Sequence, residues 1–314
     1  MAPTKLLSIV FSFRNEADVL DELIQRVVAA ISNQSLDYEM IFVNDDSDDG
    51  SLDLLLAERA KNPRIKIINM SRCFGHAECL KAGLAHAFGD AVITMDTDLQ
   101  DPPEVIPDLL DKWRDGAEVV YTVREHREGE PAFRMLMTGI AYKIIGRFSR
   151  LHLPANSGDF RLMSRRAVVE FLRLEETIPY SRGLAMWIGF KRAPVYYNRA
   201  ARSAGVSHFP GTFSFGALQS FIAGITSFSM VPLFFILVIG LIVTTVSIAG
   251  LVAVLFGVPF PEGTPIVLFL VLLWGSLMAA LGIVAVYISR IYNDVRGRPS
   301  YIIKETIGLD AKDS

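Results

Sequence analysis

Between His208 and Arg290 the chain carries a single charged residue, Glu262, and this limits what it can fold into more than any other feature. Two long apolar runs lie within the stretch, near Met230–Phe256 and Pro265–Ser289. Each exceeds the ~20 residues that a helix needs to cross a bilayer. Core helices of soluble proteins rarely run so far without a charge. The chain has 314 residues, 51% of them hydrophobic, and a mean hydropathy of +0.34, with the excess concentrated at this end. The pattern predicts two transmembrane helices over 229–289. The link between them, Gly257 to Thr264, has no Lys or Arg, whereas Arg290, Arg296, Arg298 and Lys304 follow the second run. Basic flanks stay in the cytoplasm. Both termini are therefore expected there, with a short outer loop and a cytoplasmic tail over 290–314. Residues 211–228 mix Phe and Ile with small and polar residues and lack a basic face. They read as a juxtamembrane helix, lying in the interface or packed in a bundle. The Met1–Val10 stretch is short and reads as a strand, so no signal peptide is expected.

The net charge of −3 gives no support for a nucleic-acid partner. The two cysteines, Cys73 and Cys79, fall in the part expected in the cytoplasm and should be reduced. His76-Ala77-Glu78 has the His-x-Glu form of zinc deaminases, but no Pro-Cys-x-x-Cys follows it.

Residues 1–210 alternate strand and helix patterns. Leu6–Phe13 reads as a buried strand. Asn15 is placed to cap a helix whose apolar stripe is Val19, Leu20, Leu23, Ile24, Val27 and Ile31. Further strands are predicted at Glu39–Val43, Arg64–Ile68, Ala91–Met95 and Ala117–Val123, with helices near Ser51–Ala60 and Ala77–Phe88. This βαβα order argues for an α/β fold, a mostly parallel sheet with helices on both faces.

The run Ala91–Met95 ends abruptly in Asp96-Thr97-Asp98-Leu99-Gln100-Asp101. Ligands bind at the carboxyl ends of strands in such sheets. Alternating carboxylates with a Gln amide suit a hard divalent cation, which takes oxygen ligands and bridges readily to phosphates. The competing reading is a solvated acidic turn before the helix that follows Pro102-Pro103. A second strand ends at Val43 and runs into Asp45 and Asp46, and the first ends in Phe11-Ser-Phe-Arg-Asn-Glu16. No Gly-x-Gly-x-x-Gly follows the first strand, and no Gly-x-x-x-x-Gly-Lys-Ser/Thr occurs. Both absences argue against a dinucleotide dehydrogenase and a P-loop NTPase.

Five blocks, Ile9–Glu16, Val43–Ser51, Ser71–His76, Met95–Glu104 and Ser157–Leu162, fall in the order seen in family-2 glycosyltransferases of the Rossmann-like GT-A fold. Together with the membrane tail, the chain resembles the polyisoprenyl-phosphate glycosyltransferases. These comprise the dolichol-phosphate mannose synthase group and the bacterial undecaprenyl-phosphate glucosyltransferases. The resemblance implies a GT-A domain followed by two C-terminal transmembrane helices in the cell membrane. It implies inverting transfer of one hexose, glucose favoured, from a nucleotide sugar, UDP-sugar favoured, to a polyprenyl phosphate such as undecaprenyl phosphate. Asp96 and Asp98, with Gln100, would hold Mg²⁺ or Mn²⁺ on the donor diphosphate. Asp45 would contact base or ribose, and Phe11, Phe13, Asn15 and Glu16 would wall the nucleotide pocket. Asp159, in Ser157-Gly-Asp-Phe-Arg161, would be the catalytic residue, usually a general base. A phosphate monoester is already ionised near neutral pH, its second pKa being ~6, so Asp159 is expected to orient acceptor or sugar at least as much. Arg124, Arg127, Arg182, Arg199 and Arg202 are candidate phosphate ligands.

The chain departs from the family pattern at His76, where Lys is common, and near His208. No Gln-x-x-Arg-Trp is present, which favours single transfer over processive synthesis. Two rival readings are transfer to another membrane lipid and an inactive scaffold that binds nucleotide sugar; the intact carboxylates count against the second. The small residues in the spans leave a homo-oligomer open.

Overall fold

A computed structural model of the chain describes residues 5–127, 157–174, 181–199, 231–256 and 263–309. Its first strand, β1 (Leu6–Phe13), shows why the sheet forms. Successive side chains of a strand point to opposite faces. Leu7, Ile9, Phe11 and Phe13 enter one apolar core and Val10 enters another. A strand buried on both faces is apolar almost throughout, as in a parallel sheet covered by helices.

The next elements are α1 (Ala17–Ile31), β2 (Asp37–Asn44), α2 (Ser51–Lys61), β3 (Ile65–Met70), α3 (His76–Ala85) and β4 (Ala91–Asp96). A 3₁₀ turn (Pro103–Val105), α4 (Ile106–Arg114), β5 (Val119–Arg127), β6 (Ser157–Ser164), α5 (Arg165–Leu172), α6 (Ser181–Trp187) and β7 (Arg192–Arg199) follow. The described strands form one eight-stranded sheet in the order β7-β5-β6-β4-β1-β2-β3-β8, where β8 is Ile303–Ile307. β1 pairs in parallel with β2 and β4, β2 with β3, and β5 with β7. β6 runs antiparallel between β4 and β5. The mostly parallel α/β sheet expected from the βαβα pattern is therefore present. Residues of α1, α2 and α4 pack on the Phe11 face, and those of α3, α5 and α6 on the Val10 face.

The predicted stripe of α1 is buried in full, from Val19 to Ile31. Its start differs from expectation. Asn15 is not the cap: it takes a left-handed φ of 57°, and its side chain exchanges hydrogen bonds with Asp48 at 2.7 and 3.0 Å. Glu16 holds the cap position without a side-chain bond. The first amides are served from the β2–α2 loop instead, Ala17 N donating to Asp49 Oδ2 at 3.1 Å and Glu16 N to Ser51 Oγ at 3.0 Å. A missing cap costs about 1 kcal/mol, whereas each fully buried Leu or Ile contributes about 1.5–3 kcal/mol. Burial of the stripe therefore decides that the helix forms.

Helix α3 lies close against the sheet. A Cβ at Gly83 would sit 2.3 Å from Val10 Cγ1 and 3.1 Å from Val43 Cγ2. Val10 and Val43 are stiff at χ1 and fixed in the sheet, so only glycine permits this approach.

Two long helices follow, α7 (Val231–Leu255, 25 residues) and α8 (Thr264–Val295, 32 residues), and they pack against each other. Within α8, Leu272–Val295 is long and apolar enough to cross a membrane. The first run is helical too, and its apolar stretch over Val238–Gly250 is shorter than a full span. Glu262, His208 and the segment 211–228 lie outside the described residues. Beyond α8, the stretch expected as a tail contains β8, which pairs antiparallel with β3 from Ile67↔Ile307 to Met70↔Ile303. Tyr301, Ile303 and Leu309 pack on the Val10-face core.

Candidate functional site

The carboxyl edge of the sheet gathers the acidic residues. β4 runs one residue past its apolar core, so Asp96 is its last residue. Alternation places Thr94 and Asp96 on the α3 side of the sheet, opposite Ile93 and Met95. Asp96 Oδ1 lies 3.3 Å from Nε2 of His76, the first residue of α3.

The turn beyond β4 is tight. Asp98 is 7% exposed, and its Oδ1 accepts the Gln100 amide at 3.2 Å. Leu99 holds φ at 57° with its side chain buried. A left-handed non-glycine residue costs roughly 1–2 kcal/mol, comparable to what burial of the leucine contributes. Asp101 closes the turn. It is fully buried and accepts from the Tyr197 hydroxyl on β7 and from Arg124 Nη2 on β5 at 3.3 and 3.4 Å.

Asp159 reaches the same place from β6. Thr94 pairs with Arg161 across the β4–β6 ladder, and extending that register by two residues sets Asp96 opposite Asp159. Thr94 Oγ1 donates to the Asp159 carbonyl at 2.6 Å, and Arg161 Nη2 donates to Asp159 Oδ1 at 2.8 Å. Burial raises the pKa of Asp96; His76 opposes the rise, and the carboxylates of Asp101, Asp159 and Asp98 add to it. The donors gathered here, carboxylate oxygens and the side-chain carbonyl of Gln100, are hard and include no thiolate, a set that fits Mg²⁺ or Mn²⁺. Among the described residues no group of three or more His, Cys, Asp or Glu side chains is set to hold a metal by itself. An ion at Asp96 and Asp98 would complete its shell with other oxygens.

The remaining expected residues divide. Asp45 Oδ1 accepts the Phe74 amide at 2.6 Å; Oδ2 accepts the Gly75 amide at 3.0 Å and the Cys73 thiol at 3.3 Å. It shapes the entry to α3 and, with about four lone-pair sites on a carboxylate, keeps capacity for a further donor. Burial and then Asp45 raise the Cys73 pKa, so the thiol stays protonated. Glu16 is buried. Phe11 and Phe13 do not wall the site. Phe11 stacks on Phe42 at 4.7 Å and Phe13 meets the same ring edge-on at 6.4 Å. β1 alternation sends both rings to the α1 face, away from Asp96.

Arg124 is also not a surface cation awaiting phosphate. It is buried, paired with Asp101, and donates from Nε to Tyr197 Oη at 2.9 Å. Arg127 and Arg199 are paired neighbours at the carboxyl ends of β5 and β7. Arg182 lies in α6. Arg202 falls outside the described residues. Arg161 was missed by sequence reasoning, although its spacing of two from Asp159 on a strand puts both on one face. Tyr197 was missed because nothing local ties it to Asp101.

A mostly parallel α/β sheet with carboxylates gathered where β4 and β6 meet defines a GT-A-like domain. The model of the Glycosyl transferase family 2 matches residues 8–172, and the chain belongs to that family. The relatives extend over nearly its full length. An uncharacterized glycosyltransferase of Bacillus subtilis, YkcC, is 36% identical over 310 residues, covering 97% of this chain and 95% of that protein. The SfII prophage-derived bactoprenol glucosyl transferase of Shigella flexneri is 35% identical over 306 residues, covering 96% and 98%. Glucosyl-3-phosphoglycerate synthase from Mycobacterium tuberculosis, solved with Mn²⁺, UDP and glucosyl-3-phosphoglycerate, superposes with a TM-score of 0.48. It is 18% identical and covers 71% of this chain and 79% of that one.

Proposed function

We propose that the protein transfers one hexose, glucose in the first instance, from a nucleotide sugar, UDP-sugar favoured, to a polyprenyl phosphate such as undecaprenyl phosphate, with inversion at the anomeric carbon. The observation that carries this reading is the meeting of Asp96 and Asp98 with Asp159 across β4 and β6. The chain that holds them is similar over nearly all its length to proteins named bactoprenol glucosyl transferase.

In the reaction an acceptor phosphate oxygen bonds to the anomeric carbon while the bond from that carbon to the donor diphosphate breaks. Asp96 and Asp98, with Gln100, would hold Mg²⁺ or Mn²⁺, and the bound ion would supply neutralisation of charge on the leaving diphosphate. Asp159, braced by Arg161, faces the sugar and the acceptor. The acceptor is already ionised at neutral pH, so the carboxylate orients acceptor or sugar at least as much as it removes a proton. Asp45, Asn15 and Glu16 lie on the nucleotide side. Arg127 and Arg199, on neighbouring strands at the carboxyl edge, are the first candidate phosphate ligands, and Arg182 and Arg202 are further candidates. A homo-oligomer remains compatible with the small residues of α7 and α8.

We further propose that α7 and α8 both cross the cell membrane. The chain leaves the sheet after β7 and returns to it as β8, which requires an even number of crossings between them. The basic residues after α8 set that side as cytoplasmic. In a Cys-free variant, Thr264→Cys should react with an impermeant thiol reagent added to intact cells, and Ser314→Cys should not. Labelling of Ser314→Cys would reverse the topology.

The test of the reaction is a panel of radiolabelled nucleotide sugars assayed with undecaprenyl phosphate and, separately, diacylglycerol. The expected product is a single-sugar, acid-labile lipid formed only with the polyprenyl phosphate. Transfer to diacylglycerol alone, or no turnover with any donor, would refute the proposal.

A further inference from the structure

The turn from Thr97 to Asp101 has to hold Asp96 and Asp98 in one geometry, although Leu99 within it takes a left-handed backbone conformation. Its far end is fastened by three buried side chains from three elements. Asp101 is fully buried, Arg124 is 7% exposed and Tyr197 5%. The Tyr197 hydroxyl donates to Asp101, Arg124 Nη2 donates to both Asp101 oxygens, and Arg124 Nε donates to Tyr197 Oη at 2.9 Å. Burial and then the Asp101 charge hold the Tyr197 pKa well above that of an ordinary phenol. The hydroxyl therefore keeps its proton and acts as a donor.

The same cluster borders the strand that carries Asp159. The Tyr197 ring meets Phe160 edge-on at 6.2 Å. A Cβ at Gly158 would lie 2.7 Å from Arg124 Nη2, so the residue before Asp159 has room for no side chain while Arg124 stays in place. One network thus abuts the acidic turn and the Asp159 strand.

We infer that Tyr197 is a positioning residue for the metal-binding turn, acting through the hydrogen bond by which it fixes Asp101, and that Asp101 is an anchor and not a metal ligand. The inference rests on the metal assignment to Asp96 and Asp98 made above. It explains why an acidic motif with three carboxylates offers only two to an ion. It also gives Arg124 a role other than phosphate binding.

The decisive variant is Tyr197→Phe, which keeps the ring and its contact with Phe160 and removes only the hydroxyl. Partners that orient metal ligands typically alter metal affinity by about 10–100-fold when lost. Mn²⁺ binding in the presence of UDP, counted by electron paramagnetic resonance of the free ion, should weaken by about tenfold or more. The Mn²⁺ concentration for half-maximal transfer should rise in parallel, with kcat largely recovered at saturating Mn²⁺. Asp101→Asn, which keeps volume and an acceptor oxygen, is measured in the same way and should weaken binding also. A purely structural role would lower the melting temperature and leave Mn²⁺ affinity unchanged in the folded protein; that result in either variant overturns the inference. If the wild-type protein neither binds Mn²⁺ with UDP nor needs it for transfer, the metal assignment itself falls and the inference with it.

Discussion

Asp98→Asn is expected to lose transfer activity by a hundredfold or more while the protein remains folded and membrane-bound. The change keeps the side-chain volume and a carbonyl oxygen. The bond that Asp98 Oδ1 accepts from the Gln100 amide can therefore survive, and the turn with it. What disappears is one anionic oxygen of the proposed metal site. A metal that neutralises a leaving diphosphate supplies several kcal/mol of transition-state stabilisation, and each ~1.4 kcal/mol is tenfold in rate. Forfeiting about half of that stabilisation gives the predicted loss. Chelation is the companion measurement: EDTA should abolish turnover of the wild-type enzyme, and Mg²⁺ or Mn²⁺ should restore it. Full activity after metal-free preparation in EDTA would remove the metal from the mechanism.

The second large effect is expected at Asp159. Asp159→Asn should lower kcat by on the order of a hundredfold or more, with nucleotide-sugar affinity kept, as for a residue acting in the transition state. If orientation of the lipid phosphate dominates, the loss should be smaller and part of it should appear as a raised KM for the lipid. The structure adds a condition. Asp159 accepts a charged hydrogen bond from Arg161, and the two side chains are 10% and 3% exposed. Replacing the carboxylate weakens that bond, and a buried hydrogen-bond partner lost costs about 1–3 kcal/mol of stability. Melting temperature and donor calorimetry therefore accompany the steady-state kinetics. Near-normal kcat and KM in a folded Asp159→Asn enzyme would make this aspartate a structural partner of Arg161 and nothing more.

The strands were legible because their chemistry is local. Leu6–Phe13 and Ala91–Met95 are apolar runs that end in polar residues, and parallel pairing buries such runs on both faces. The carboxylates at the ends of β2 and β4 were legible for the same reason. What a strand's sequence does not state is which of its faces the site occupies. Phe11 and Phe13 lie one residue either side of Ser12, and that single step sends their rings into the opposite core. Long-range pairing was equally hidden. Arg124 follows a strand and carries a fork suited to phosphate, but Tyr197 and Asp101, distant in sequence, already occupy it. Asn15 is a good capping residue by type. Its amide is taken by Asp48, and the loop beyond β2 serves the start of α1 instead. The five residues of β8 were overlooked because a strand that short, after a charged flank, has little periodicity to show.

That last strand also bears on how the protein is made. β3 has β2 on one side and β8 on the other, and β8 emerges from the ribosome only after both long helices. At about 5–20 residues per second, the nascent sheet waits on the order of ten seconds or longer with the open edge of β3 exposed. An unpaired edge is a template for pairing with another chain. Completion of the catalytic sheet is therefore tied to delivery of α7 and α8. A ribosome stalled within α8 leaves an incomplete sheet as well as an incomplete helix pair, and quality control that recognises open sheet edges would detect both faults at once.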